Sequence, residues 1–183
     1  MKSPLAFGSL RGKRKGRSDP AARFIRGEGL GVALSLSLVA AIAQAQPLAT
    51  KLPTTDVTIG GERFAPEVAR DPATQFRGLG GRTLIDSHGG MLFVFPFPRQ
   101  AAFVMRDCPI PIDIAFVDAA GRVIAIHEMQ PEPPRRPDES AFAYDGRLKQ
   151  YPSGAPALFA IETAGGRLRA LGLKPGDHLD ITP

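Results

Sequence analysis

The sequence predicts a mainly-β domain, a compact antiparallel sandwich or barrel of about eight short strands with one or two short helices. Three observations predict it. Short apolar runs alternate with Pro, Gly and Asp between Gly89 and Met129, in GGMLFVFPFPRQAAFVMRDCPIPIDIAFVDAAGRVIAIHEM. Turn-forming residues recur along the rest of the chain, at Gly60-Gly61, Asp118 to Gly121 and Lys174 to Asp177. One stretch, opened by Asp71-Pro72, carries clear helix-start signals.

Taken in order, Gln46–Thr55 is polar and contains proline, and reads as a flexible lead-in to one domain over residues 56–183. Val57-Thr58-Ile59 alternates apolar and polar, and Gly60-Gly61 supplies the positive φ of a tight hairpin. Arg63-Phe64 resumes a strand that runs on to Val68, with Pro66 at an edge or bulge. Asp71 caps free amides and Pro72 fits the first helical position, giving a short helix with Ala73, Phe76 and Leu79 on its apolar face. Gly78, Gly80 and Gly81 stop it.

Met91–Phe95 is apolar on both faces and is expected to be central, ended by Pro96 and Pro98. Ala101–Met105 is the next strand. Ile112–Val117 follows, then a turn, and Val123–Met129 returns antiparallel. Simple alternation places Ile124 and Ile126 on one face, with Val123, Ala125 and His127 on the other. Met129–Gln150, with Pro131, Pro133, Pro134 and Pro137, reads as a long loop that is a lid, a docking segment or a solvated connection. Ala157–Thr163 is a strand, Gly165–Leu173 holds a helical turn, and His178–Ile181 closes the fold.

The 183 residues carry a net charge of +5, unevenly placed. Residues 1–45 hold eight Lys/Arg and two acids, a balance of +6. The other 138 hold 15 basic and 16 acidic groups, a balance of −1. Whole-chain charge therefore gives no support for nucleic-acid binding by the domain. The basic segment precedes an uncharged apolar run over Leu30–Ala43. That run falls short of the ~20 residues needed to span a bilayer and fits the core of a secretory signal peptide. Cleavage is expected after Ala45, with Ala43 the second site and an uncleaved anchor the alternative. The basic region is long for such a leader, which is consistent with a translation start further downstream. Cys108 is the single cysteine, so no intramolecular disulfide forms. It is either a small buried apolar residue or a reactive thiol.

The blocks EVARDPATQFRGLGGRTL, GGMLFVFP, FVMRDCPIPIDIAFVDAAGRVIAIHEM, YPSGAPALFAIE and LGLKPGD, in that order, resemble the DUF192 family of small, frequently exported domains. The resemblance runs from about Glu62 to Ile181 and implies a compact mainly-β fold without naming a reaction. The chain departs from that pattern at Gly80-Gly81, where the family often has a methionine. It departs again at Val104, in place of a tryptophan that would floor a pocket, and at Asp107-Cys108, in place of Asn-Thr.

Candidate chemistry centres on Arg106, Asp107 and Asp113. Asp113 lies inside an apolar strand, and a charge there must reach solvent, find a partner or accept hydrogen bonds. Either it fixes the fold, or it lines a polar recess with Arg106 and Asp107, where Arg77 and Arg82 join them to hold an anionic group. His127 and Glu128 point to opposite sides of a strand and cannot share a ligand. His88, His127 and His178 show no metal-binding spacing, no cofactor fingerprint appears, and Ser153 reads as a turn residue. The leading expectation is a periplasmic, monomeric, non-enzymatic module. It would bind a small molecule, a glycan or an envelope partner, with no cofactor, metal, nucleic acid or membrane span in the mature domain. The alternatives are a hydrolase using Asp107 or Asp113 and an assembly factor read by a protein partner.

Overall fold

The computed structural model describes residues 52–182. The leader, its cleavage site and the first part of the lead-in lie outside the described residues. Ten strands and three short helices are described, so the chain is mainly β as expected, in sandwich-like sheets rather than a closed barrel.

β1 (Val57–Ile59) and β2 (Glu62–Phe64) form the glycine hairpin, and β10 (Asp180–Ile181) pairs with β1 on its other side. The expected continuation of β2 does not form. The chain breaks at Ala65-Pro66, and β3 (Glu67–Ala69) joins a different sheet, parallel to β4 (Met91–Arg99). That sheet runs β3-β4-β9-β6-β7, with β6 at Ile112–Val117, β7 at Val123–Met129 and β9 at Ala157–Ala164. It is therefore mixed; β4 is internal as expected, flanked by β3 and β9 and buried on both faces, and β9 is the middle strand. Pro96 and Pro98 do not end β4. They fall where the register against β9 shifts, between Val94 and Arg99, and an irregular stretch of ladder tolerates residues without an N–H. Only β5 (Ala102–Phe103) survives of the strand expected over Ala101–Met105. It pairs with β8 (Tyr151–Pro152).

Two apolar layers flank the five-stranded sheet. On one face Leu92, Ala115, Val117, Phe159 and Ile161 pack with Val57, Ile59 and Phe64 of the small sheet. On the other, Phe93, Ile112, Ile114, Phe116 and Ala160 lie with Leu79, Ala101, Met105 and Tyr151. Each large side chain buried this way contributes roughly 1.5–3 kcal/mol. The simple alternation expected in β7 fails at its start. Val117 pairs with Val123 but Phe116 with Ala125, an extra residue that turns Val123 and Ile126 to one layer and Ile124 and Ala125 to the other.

Leu52–Thr55, read as flexible, are tied down where described. Val68 N donates to Pro53 O, Thr55 N to Pro66 O and Thr55 Oγ1 to Thr182 O. α1 (Pro72–Arg77) begins as expected, with Asp71 accepting from Ala73 N and Thr74 N. Phe76 is nevertheless 68% exposed, while Leu79 is buried. The long loop contains α2 (Ala141–Arg147), capped by Ser140. The sequence hides this helix because Tyr144 is its one buried residue, leaving no apolar stripe to read. Arg147 secures it, donating Nε to Glu139 and Nη2 to the carbonyls of Pro133 and Pro134. α3 (Arg167–Ala170) buries Leu168. Among the described residues, no helix is long and apolar enough to cross a membrane.

Candidate functional site

A recess of about 460 Å³ opens on the Phe93–Phe116 side of the large sheet, between α1 and the β4–β5 region. Its volume falls in the range of small-molecule sites. Aromatic groups supply much of its apolar lining: Phe76, Phe93, Phe95 and Phe103. The rings of Phe93 and Phe103 meet edge-on at 4.8 Å between centroids. Three arginines, Arg77, Arg99 and Arg106, also border it. Arg106 donates Nε to Asp145 Oδ1 at 2.8 Å and lies 4.3 Å from the centroid of Phe76. Arg99 lies 5.0 Å from that of Phe95. Stacking holds each guanidinium plane while leaving N–H groups for a ligand.

The loop carrying Arg106 is shaped at Asp107, which adopts φ 53°, the one left-handed non-glycine residue among those described. Asp and Asn tolerate that region better than other side chains. Its amide donates to Tyr144 Oη at 3.0 Å, the Tyr144 hydroxyl donates back to Asp107 Oδ1 at 3.3 Å, and its carbonyl accepts from Gly81 N. Tyr144 is thus the brace between α2 and the loop, and burial pushes its phenol up. Tyr144→Phe should lower stability by about 1–2 kcal/mol by stranding the Asp107 amide. Thermal unfolding checks this, and an unchanged midpoint would remove the brace from the account.

Glu162 on β9 also lines the recess. It is 5% exposed, Oε2 has no hydrogen-bond partner, and burial pushes its carboxyl up to about 8 against a weaker opposing pull from Arg82. A Cβ at Gly78 would stand 3.8 Å from Oε2, and Gly78 holds φ +53°. Glycine therefore permits the turn after α1 and leaves no side chain against the carboxyl. Cys108 lines the same recess. Its thiol donates to Arg106 O at 3.3 Å, and burial, with Glu162 and Asp107 nearby, pushes it up to about 12. That is a protonated, weakly nucleophilic sulfur.

The sequence-predicted residues separate into groups. Arg77 and Arg106 line the recess. Asp107 shapes the loop without lining it, and Arg82 forks both terminal nitrogens onto Glu67 at 2.8 Å behind it. Asp113 is on the opposite face of the sheet, paired in register with Thr163. It is fully buried, its Oδ1 accepts from Gly166 N at 2.8 Å and its Oδ2 from Leu168 N at 2.9 Å. Burial pushes its carboxyl up while those amides pull it back. Asp107 and Asp113 do not converge on one cavity. Sequence reasoning missed Arg99 and Glu162. The signal for Glu162 was present, since Ile161-Glu162-Thr163 places a charge inside an apolar strand just as Ile112-Asp113-Ile114 does. Among the described residues, no group of three or more His, Cys, Asp or Glu is placed to hold a metal ion.

The DUF192 family model, described as an uncharacterized ACR, matches residues 55–181. A crystal structure of a protein of unknown function from Novosphingobium aromaticivorans is 31% identical, with TM-score 0.59, covering 74% of this chain and 90% of that one. A Sinorhizobium meliloti protein, named as a candidate transcription regulator, is 24% identical with TM-score 0.56 over 70% of this chain and 95% of its own. That second likeness concerns the fold alone. No curated protein matches the chain.

Proposed function

This chain belongs to the DUF192 family, whose description names no activity, and on that premise we propose an exported, non-enzymatic domain that binds a small anionic molecule with an apolar or aromatic body. One observation carries the reading. Arg77, Arg99 and Arg106 border a recess whose apolar lining includes four phenylalanine rings. Guanidinium forks match carboxylate and phosphate oxygens, and the rings favour an apolar body between them. Export rests on the basic and then apolar leader over residues 1–45.

Titration calorimetry with benzoate and phenyl phosphate tests the binding claim. Arg77→Ala and Arg99→Ala should each weaken a bound probe about tenfold with little change in thermal midpoint. Arg106→Ala should do the same but also loosen α2, because Asp145 loses its partner. Probe binding indifferent to all three arginines would overturn the reading. N-terminal sequencing after cell fractionation tests export, with Gln46 expected as the periplasmic N-terminus and an intact leader on cytoplasmic protein as the contrary result.

Phe97 on β4 and Phe142 on α2 are exposed at 63% and 90%, which favours a second reading in which an exposed ring docks a protein partner. Phe142→Ser should then abolish a partner crosslink without changing probe binding.

A further inference from the structure

Building on the anionic-ligand reading, we propose that Glu162 is the recognition group at the depth of the recess, donating its carboxylic O–H to an acceptor oxygen on the buried end of the ligand. The ligand class is then an acid at one end with a carbonyl, ether or hydroxyl oxygen at the other.

Four observations lead there. Oε2 of Glu162 is buried without a partner among the described residues, and a polar atom left so costs stability that folding alone does not recover. The register sets Glu162 between Met91 and Ile114, so no neighbouring strand offers it a polar side chain. Arg82, the cation whose charge reaches it, is already forked onto Glu67. Gly78 lies close by, and a Cβ there would stand in van der Waals contact with Oε2, 3.8 Å away. Glu162 itself lines the recess, so its unpartnered carboxyl lies on the cavity side of the sheet and finds no polar group of the fold there.

Two chemistries suit such a carboxyl: pairing with a ligand cation or donating to a ligand oxygen. The arginines bordering the same recess repel a cation and favour the second. Burial supplies the proton, since it raises the carboxyl to about 8 and leaves the acid neutral near pH 7. The charged and titratable groups lining the recess with it are Arg77 from α1, Arg99 from β4, and Arg106 and Cys108 from the β5–β6 loop, with Asp107 beside Cys108. Arg82, with Glu67 of β3, completes the set. Guanidiniums keep their charge throughout and Cys108 keeps its proton to about 12. Glu162 is therefore the recess group that changes charge near pH 8.

The test measures benzoate and 4-acetylbenzoate binding by calorimetry at about pH 6 and about pH 10, in the wild type, Glu162→Gln and Glu162→Leu. Both probes stay anionic over that range. The wild type should prefer 4-acetylbenzoate about tenfold at the lower pH and lose the preference at the higher. Glu162→Gln, whose amide N–H donates at either pH, should keep it at both. Glu162→Leu should bind benzoate and show no preference. Equal affinity for the two probes in the wild type, with benzoate still dependent on Arg77 and Arg99, overturns the role of Glu162 and leaves the anionic recess standing. A preference that survives in Glu162→Leu overturns it too. Failure of both probes to bind overturns both readings.

Discussion

Asp113→Ala should destabilise the domain by roughly 3–5 kcal/mol, because two buried charge-assisted hydrogen bonds vanish and two amides are left bare. Asp113 is fully buried and reaches across to the start of α3, where Gly166 N and Leu168 N donate to its two oxygens. Gly166, the residue at the helix cap, has no side chain to do this work. A four-residue helix does not hold itself together in water, so the carboxylate from β6 and the buried Leu168 keep it in place. Asp113→Asn retains one acceptor and turns an NH₂ toward the other amide, so an intermediate loss is expected. Urea unfolding gives the size of both effects. Because Asp113 faces away from the recess, folded Asp113→Asn should bind an anionic probe as the wild type does. A loss below about 1 kcal/mol for Asp113→Ala would mean the helix start is satisfied by water.

Glu162→Met should make the domain more stable at alkaline pH, by roughly 4 kcal/mol at pH 8, and flatten its stability between pH 5 and 8. The folded carboxyl titrates near 8 against an ordinary value of 4.5, so between those limits the native state holds a proton that the unfolded chain has released. Stability from this group is complete below about pH 4.5. It falls by about 1.4 kcal/mol per pH unit and levels off above about pH 8. Methionine fills a similar volume, needs no partner and does not titrate. The difference between wild type and variant isolates Glu162, because the exposed ion pairs titrate alike in both. Urea unfolding at several pH values measures that difference, and a pH-independent one would show that Glu162 is ionised and solvated in the native state. A stability gain on removing Glu162 would fit a group that serves binding at the expense of the fold.

Much of the fold could be read from local pattern. The β6–β7 hairpin is written in Ile112–Val117, the Asp118–Gly121 turn and Val123–Met129, and the helix start in Asp71-Pro72, because turn and cap chemistry act within a few residues. Other features escaped for equally physical reasons. β4 runs through Pro96 and Pro98 because the lost N–H groups fall in a register shift set by β9, more than 50 residues away in sequence. α2 has no apolar face and is held by Tyr144, Arg147 and the Arg106–Asp145 pair, side-chain contacts reaching outside the helix that no periodicity reports.

The candidate site divides the same way. Arg77 and Arg106 were legible as cations near an apolar strand system, and both line the recess. Asp113 and Glu162 carry the same local signal, an acid within an apolar strand, and have opposite fates. One faces α3 and satisfies its amides; the other faces the recess and satisfies nothing. The mainly-β class, the turn positions and the residues out of place in an apolar strand were all legible locally. These follow from side-chain chemistry and period-two alternation. Which layer each strand face meets depends on long-range packing, because alternation defines two faces without saying what covers them. That assignment separates a structural carboxylate from one left free for a ligand.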